Sequence, residues 1–262
     1  MGNNRLTALL LLTAVSAFAQ FGAGPGQPPV PHLGLAGLSS LQADAQPQTA
    51  PAISVIENAA NWHNVTQYGV VPGEQVAIFG AGFVAGTIVY LNGTPLAITY
   101  SSTTQINAVI MTTLTVGGSQ IAIVVKAGTA YSNTVYANVT ASDPGLYGCG
   151  SAPWVENQAF QIVGTCGYPA LHDDYGVGVI LWGNAFGVAP SGSCTASLIL
   201  KQGANSYGMA FYYCGMVPGS STEWQANFAF MNNNPPMPPG AYTATVAIDG
   251  LTLPPFTINT VN

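Results

Sequence analysis

Charge is what this sequence has least of. Its 262 residues include three Lys or Arg and nine Asp or Glu, so that charged residues make up 5% of the chain. The usual share in globular proteins is about 25%. Binding to the phosphate backbone of nucleic acids depends on clustered Lys and Arg. This scarcity of cations excludes nucleic acid as a partner, and it disfavours anionic membrane surfaces for the same reason.

Long apolar runs are also missing beyond the N-terminus. A helix that spans a bilayer needs roughly 18 to 20 consecutive apolar residues, and Gly, Pro, Asn or Thr interrupts every run in the rest of the chain. We therefore expect no membrane span in the mature chain. Apolar residues still make up 48% of the sequence, which is enough for a sizeable core and excludes a chain that is disordered throughout.

The first 19 residues are typical of a secretory signal peptide. Arg5 precedes an apolar stretch over residues 6–15, and Ala17-Phe18-Ala19 forms a small-x-small cleavage site before Gln20. An N-terminal membrane anchor is the alternative, but the stretch is too short to span a bilayer. We expect a secreted protein, extracellular or at the cell surface. Its mature net charge is 2 − 9 = −7, because Arg5 is removed while Lys126 and Lys201 remain.

The chain has four cysteines, and all lie in its C-terminal half: Cys149, Cys166, Cys194 and Cys214. An even number in an exported chain indicates two disulfides. Three pairings are possible, and we favour the one that closes the shortest loops, Cys149 with Cys166 and Cys194 with Cys214. A zinc site is disfavoured because the sequence contains no CxxC pair.

Turn residues divide the chain beyond residue 52 into short apolar or alternating runs. Residues 20–51, in contrast, are dense in Gly, Pro, Gln and Ala, which is typical of a flexible arm or linker. The later pattern predicts an all-β fold of two tandem immunoglobulin-like β-sandwiches. We place them at residues 52–143 and 147–262, with a boundary at Asp143-Pro144-Gly145.

Several local signals refine this expectation. Asn92-Gly93 predicts a tight hairpin turn, and Val71-Pro72-Gly73-Glu74 predicts a second turn. Single strands are expected over residues 95–100 and 207–214. The two halves also resemble each other, because residues 78–83 and residues 181–187 each end a strand at a glycine and place a Phe just after it. We therefore predict a tandem repeat of one sandwich topology.

Five blocks of the first half also occur in order in a known family: Asn58-Ala59-Ala60, residues 71–83, residues 91–96, residues 100–107 and Pro144-Gly145-Leu146-Tyr147. They resemble IPT/TIG-type immunoglobulin-like domains, and specifically the C-terminal extracellular repeat of Solibacter-type acidobacteria. The resemblance covers residues 53–147. It implies an immunoglobulin-like fold, secretion and a surface or matrix context, and it supplies no catalytic residues. The chain departs from this family's layout because a second sandwich follows the domain.

Titratable groups form one dense cluster in the sequence, His172-Asp173-Asp174-Tyr175. A histidine beside two carboxylates can hold calcium or zinc, or act as an acid/base pair. A solvated loop is the favoured interpretation, because the chain has no recognised metal or nucleophile motif. Glu156 and Glu223 as a glycosidase pair are a weaker alternative. We therefore predict no catalytic residue, no metal, no cofactor and no enzyme activity.

Aromatic residues are the better functional lead, at 10% of the chain. Exposed aromatic faces bind sugars, and Tyr and Trp are favoured at protein interfaces. The candidate binding residues are Trp62, Trp154, Tyr168 and Tyr175. We expect Trp62 and Trp154 on loops at opposite ends of the first sandwich.

These observations predict a secreted, non-enzymatic structural or adhesive protein of the cell surface or extracellular matrix. Its partner would be a protein, including another copy of itself, or a polysaccharide. One specific form is a filament subunit that assembles through the arm at residues 20–51. The alternative is a carbohydrate-binding module that uses exposed aromatics. A hydrolase using His172 with Asp173 or Asp174 is less favoured.

Overall fold

The computed structural model describes residues 49–149, 152–157, 162–163, 171–172, 178–190, 192–231 and 237–261. Thr49–Asn262 forms one compact unit, and strands dominate it, which confirms the predicted all-β class. The unit has two hydrophobic cores, one built from residues 53–139 and the other from residues 155–258. We call the two parts the N-terminal and C-terminal sandwiches. No helix in the described part of the chain is long and apolar enough to cross a membrane.

The N-terminal sandwich consists of two antiparallel sheets and one short helix. Its elements are β1 Ala52–Asn58, α1 Val65–Tyr68, β2 Gln75–Ala81, β3 Ile88–Leu91, β4 Thr94–Pro95, β5 Ala97–Ser101, β6 Gln105–Val109, β7 Ile121–Ala127, β8 Ala130–Tyr131 and β9 Val135–Ala137. One sheet has the order β1-β2-β6-β5. The other has the order β4-β3-β7-β8, with β9 also on β7.

Three short strands lead into the C-terminal sandwich: β10 Gly145–Leu146, β11 Gly148–Cys149 and β12 Ala152–Pro153. The sandwich itself contains β13 Val155–Asn157, β14 Ile162–Val163, β15 Leu171–His172, β16 Gly178–Asn184, β17 Ala196–Gln202, β18 Asn205–Gly208, β19 Ala210–Met216, β20 Trp224–Ala229, β21 Gly240–Ile248, β22 Leu251–Thr252 and β23 Phe256–Val261. Its sheets have the orders β14-β13-β16-β20-β19 and β15-β23-β21-β17-β18. In addition, β10 pairs with β16 and β22 with β21.

The two sandwiches share one topology. The order β1-β2-β6-β5 corresponds to β13-β16-β20-β19, and the order β4-β3-β7 corresponds to β18-β17-β21. This is the strand arrangement of immunoglobulin-like sandwiches. The equivalent edge pairs β5 with β6 and β19 with β20 even share a register shift. The predicted repeat of one topology therefore agrees with the strand order.

The repeated glycine and phenylalanine have the same structural role in both sandwiches. A Cβ at Gly80 would lie 2.6 Å from the ring of Phe83 and 2.0 Å from the backbone oxygen of Ala52. A Cβ at Gly183 would lie 2.4 Å from the ring of Phe186 and 2.2 Å from the backbone oxygen of Gly145. Both phenylalanines are buried. Glycine is required because the ring closes the end of the sandwich over the backbone.

The two single strands expected over residues 95–100 and 207–214 are wrong, because each divides between the two sheets. Leu96 and Met209 are the residues at which the chain changes sheet. Both are buried, and their N–H groups donate to Val89 and Leu198. Because this side chain is buried in the core, the chain leaves one sheet before it and joins the other sheet after it. This separates β4 from β5 and β18 from β19. Alternation of apolar residues continues through the division, so the sequence pattern does not reveal it.

The predicted turns and one predicted disulfide are confirmed. Asn92 and Gly93 have φ of 49° and 83°, as a type I′ hairpin turn requires. Glu74 N–H donates to Val71 C=O across the second turn, at 2.9 Å. Cys194 and Cys214 form a disulfide. The other predicted pair stays a prediction, because Cys166 lies outside the described residues.

The boundary at Asp143-Pro144-Gly145 is a buried joint between the sandwiches. Asn184, at the end of β16, is fully buried there. Its Oδ1 accepts from Gln75 N–H at 3.0 Å, and its Nδ2 donates to Gln75 C=O at 2.7 Å and to Asn58 Oδ1 at 3.1 Å. Ala189 N–H also donates to Pro72 C=O at 3.0 Å. These directional bonds hold the two sandwiches in one relative arrangement.

Replacing Asn184 with Ala removes three hydrogen bonds across this joint. The part-buried N–H of Gln75 loses this partner and its C=O keeps Ala59 N–H, so we expect the free energy of unfolding to fall by about 1–3 kcal/mol. Urea denaturation followed by tryptophan fluorescence measures this change. Asn205→Ala, at an exposed position of β18, is the matched control. Equal stability of the two variants would contradict the role given to Asn184.

Candidate functional site

A groove lies where the two sandwiches and the connecting strands meet. Its volume is about 1090 Å³, which is just above the usual range for small-molecule sites. Four segments line it: residues 59–63 with Tyr68, residues 142–148, Pro153 with Trp154, and residues 251–256. We call it the junction groove. Both sandwiches contribute to it, so its shape depends on their relative arrangement.

Trp62 presents its ring on one wall of the junction groove. The residue is 56% exposed, and its backbone has φ of 63°, in the left-handed region that favours glycine. Hydrogen bonds hold the loop in this conformation, because Trp62 N–H donates to Asn58 C=O and Asn58 N–H to His63 C=O. Phe79 supports the indole, with ring centroids 6.2 Å apart. The loop thus exposes a large apolar ring to solvent, on a residue whose backbone conformation is strained.

His63 and Asp143 form the polar part of the groove. His63 Nδ1 donates to Asp143 Oδ1 at 2.7 Å, and the imidazole stacks on Tyr68 with centroids 4.0 Å apart. Asp143 is buried and also accepts from Asn61 Nδ2 at 3.1 Å and from Asn58 Nδ2 at 3.3 Å. The carboxylate is therefore satisfied by hydrogen-bond donors and fixes the imidazole in one orientation.

Tyr147 and Trp154 come from the connecting segment. Trp154 is 37% exposed, and its ring lies 6.4 Å from that of Tyr147. Tyr147 N–H donates to Trp182 C=O in β16, and Trp154 N–H donates to Tyr147 C=O. Burial raises the pKa of the Tyr147 hydroxyl, and the negative charges of Glu223 and Glu74 raise it further. The hydroxyl thus stays protonated and can donate a hydrogen bond at neutral pH.

The predicted site residues separate into two groups. Trp62 and Trp154 both line the junction groove, so the expectation that they lie at opposite ends of the first sandwich is wrong. The chain between them folds into the N-terminal sandwich and returns to the same joint. Tyr168, Tyr175, Asp173 and Asp174 lie outside the described residues. The backbone of His172 belongs to β15, where it pairs in parallel with Val261 of β23.

Two residues of the groove were missed in the sequence. His63 and Asp143 are far apart in the chain, and neither belongs to a recognised motif. The signal available in the sequence was only that histidine is rare, at three in the chain, and that Asp143 is the acidic residue of the boundary segment. In the described part of the chain, no group of three or more His, Cys, Asp or Glu is placed to hold a metal ion.

Comparison with known proteins gives no family. No protein-family model matches the sequence, and no curated protein matches it. A crystal structure of gamma-CGTase from the alkalophilic Bacillus clarkii is similar over 80% of this chain, at 16% identity and a TM-score of 0.29. The chain spans 26% of that enzyme's length. The resemblance to IPT/TIG domains and to the Solibacter-type repeat stays a prediction.

Glu74 provides a test of the electrostatics beside the groove. Its carboxyl group is buried, and Oε2 accepts from Val71 N–H at 2.6 Å. Oε1 has no hydrogen-bond partner among the described residues. Burial raises the pKa of Glu74 well above its ordinary value of 4.5, the Val71 hydrogen bond lowers it, and the charge of Asp143 raises it. The folded protein therefore favours protonated Glu74.

We expect the free energy of unfolding to fall as the pH rises from about 4.5 through the higher pKa of the folded state. In that window the folded chain holds a proton that the unfolded chain has released. Glu74→Gln mimics the protonated carboxyl group, so the variant should lose less stability with rising pH. Urea midpoints at a series of pH values measure this difference, with Glu57→Gln on β1 as control. Parallel pH profiles for Glu74→Gln and the unmodified chain would contradict the assignment.

Proposed function

We propose that this protein is a secreted, non-enzymatic component of the cell surface or extracellular matrix that binds polysaccharide in the junction groove. The observation that carries the proposal is the position of Trp62 and Trp154, which come from distant parts of the chain and expose their rings in one groove. The C–H faces of sugar rings stack on such aromatic surfaces, and their hydroxyls need hydrogen-bonding partners at the edges.

The polar lining supports a neutral ligand. Among the described lining residues, Asp143 is the one carboxylate, and its oxygens already accept bonds from His63, Asn58 and Asn61. With these hydrogen bonds in place, Asp143 positions the imidazole of His63 and can accept few further hydrogen bonds. Hydrolysis of a glycosidic bond normally requires a pair of carboxyl groups on either side of it. The lining therefore favours binding over cleavage.

Replacing either groove tryptophan tests this function. We expect Trp62→Ala and Trp154→Ala each to weaken polysaccharide binding about tenfold, because each removes a stacking surface. A glycan array followed by pull-down on cellulose and chitin measures binding. Tyr100→Ala, which removes an exposed ring of β5 outside the groove, is the control. No retention of the unmodified protein on any glycan, or equal retention of all variants, would remove the proposal.

A structural role as a filament subunit is the second candidate. Phe211, Tyr212 and Tyr213 are exposed in succession on β19, which is an edge strand of its sheet among the described strands. Exposed apolar edge strands promote pairing between molecules. Because the chain has few charged residues, packing of one copy against another would remove water from few charged groups, and the desolvation penalty would be small. Residues 20–48 of the arm proposed for assembly lie outside the described residues.

Negative-stain microscopy over a range of concentrations tests this second candidate. We expect filaments that lengthen with concentration, and we expect Tyr212→Ser, which makes the β19 edge more polar, to shorten them. Tyr100→Ser, an exposed aromatic of β5, is the control. Monomers at every concentration, with the arm intact, would exclude the filament role while leaving polysaccharide binding untouched.

A further inference from the structure

The outer face of the sheet β4-β3-β7-β8 carries a cluster of tyrosines around one lysine. Along β7, the buried residues alternate with Ala122, Val124 and Lys126, which face outward. Tyr90 lies opposite Val124, Tyr131 opposite Lys126 and Tyr136 opposite Ala122. We call this surface the tyrosine face. None of its residues lines the junction groove.

A cleft crosses the tyrosine face between two of the rings. Its volume is about 430 Å³, and it is lined by Tyr90, Asn92, Gly93, Ala122, Val124 and Tyr131. Two tyrosines contribute to its lining, together with small or short side chains. Asn92 fixes the rim, because its Oδ1 accepts from Ala122 N–H at 2.8 Å. The cleft is therefore a preformed depression with aromatic residues in its lining.

Lys126 gives this face a positive charge that no ion pair among the described residues neutralises. Its Nζ lies 5.3 Å from the centroid of the Tyr131 ring, in cation–π geometry. The ion pairs of the described residues do not include Lys126. Residues 75–142 contain no Asp or Glu and no other Lys or Arg. Although the chain has nine Asp or Glu residues, none lies in the same stretch of sequence as Lys126. The lysine lies instead beside exposed aromatic rings.

We propose that the tyrosine face is a second polysaccharide site, specific for sugars that carry a carboxylate. A sugar ring stacks on Tyr131 or Tyr90 in the cleft, and its carboxylate pairs with the Lys126 ammonium. Charge complementarity determines the class of ligand, because the lone cation favours an acidic sugar over a neutral one. In the junction groove, His63 is already paired with the carboxylate of Asp143, so this preference is not expected there. A protein with both sites would link neutral and acidic polysaccharides.

Binding of the full chain to polygalacturonate, compared with its fully methyl-esterified form, tests this proposal. We expect Lys126→Gln to weaken binding about two- to fivefold, as for a single exposed ion pair. Tyr131→Ala should weaken it about tenfold by removing the stacking surface. The esterified polymer should bind more weakly than the acid, and added salt should weaken binding of the acid alone. All measurements use a Trp62→Ala, Trp154→Ala background, so that the groove does not contribute.

Lys201→Gln is the matched control, because it removes the other lysine of the chain from an exposed position of β17. Equal loss in the two lysine variants would show a nonspecific charge effect and overturn the proposal. Equal binding of the acid and the ester would also overturn it. If Tyr131→Ala instead abolishes self-association in sedimentation, and polygalacturonate does not bind, the face is a protein interface and the proposal fails. Loss of groove binding in the tryptophan variants leaves this test unaffected.

Discussion

The buried amide of Asn184 bonds both the N–H and the C=O of Gln75 and also the side chain of Asn58. Buried polar groups must keep their partners, so the sandwiches cannot slide against each other without losing these bonds. The network extends into the groove, because Asn58 bonds Asp143 and Asp143 orients His63. The groove walls belong to different sandwiches, and this network is what makes them one site.

The joint also explains how a repeated topology produces a new surface. Ala81 and Asn184 follow the equivalent glycines Gly80 and Gly183 at the ends of equivalent strands, β2 and β16. Ala81 is exposed, whereas Asn184 is fully buried against the N-terminal sandwich. An apolar residue at this second position would leave the N–H of Gln75 without its partner and remove one of the two bonds to its C=O. The polar side chain of Asn184 thus provides the hydrogen bonds that join the C-terminal sandwich to the N-terminal sandwich.

Short-range features of the fold were predictable, and features that depend on the joint were not. Asn92-Gly93 and the Cys194–Cys214 pair follow from local backbone and loop-length rules. The division of strands at Leu96 and Met209 depends on which sheet offers a free edge, and the apolar pattern is the same in either case. The pairing of His63 with Asp143 and the meeting of Trp62 with Trp154 require both sandwiches to be in place. Sequence spacing alone carries no information about such contacts.

The scarcity of charge has different consequences at the two candidate surfaces. In the junction groove, the carboxylate of Asp143 already accepts three hydrogen bonds. Binding of a neutral sugar therefore removes little water from this charge. On the tyrosine face, the chain's formal net charge of −6 opposes an acidic ligand at long range. Screening limits that opposition to about 8 Å at physiological ionic strength. Residues 75–142 contain no Asp or Glu, so Lys126 is the one formally charged Lys, Arg, Asp or Glu in this stretch of sequence, and the proposal rests on its attraction for an anionic sugar at short range.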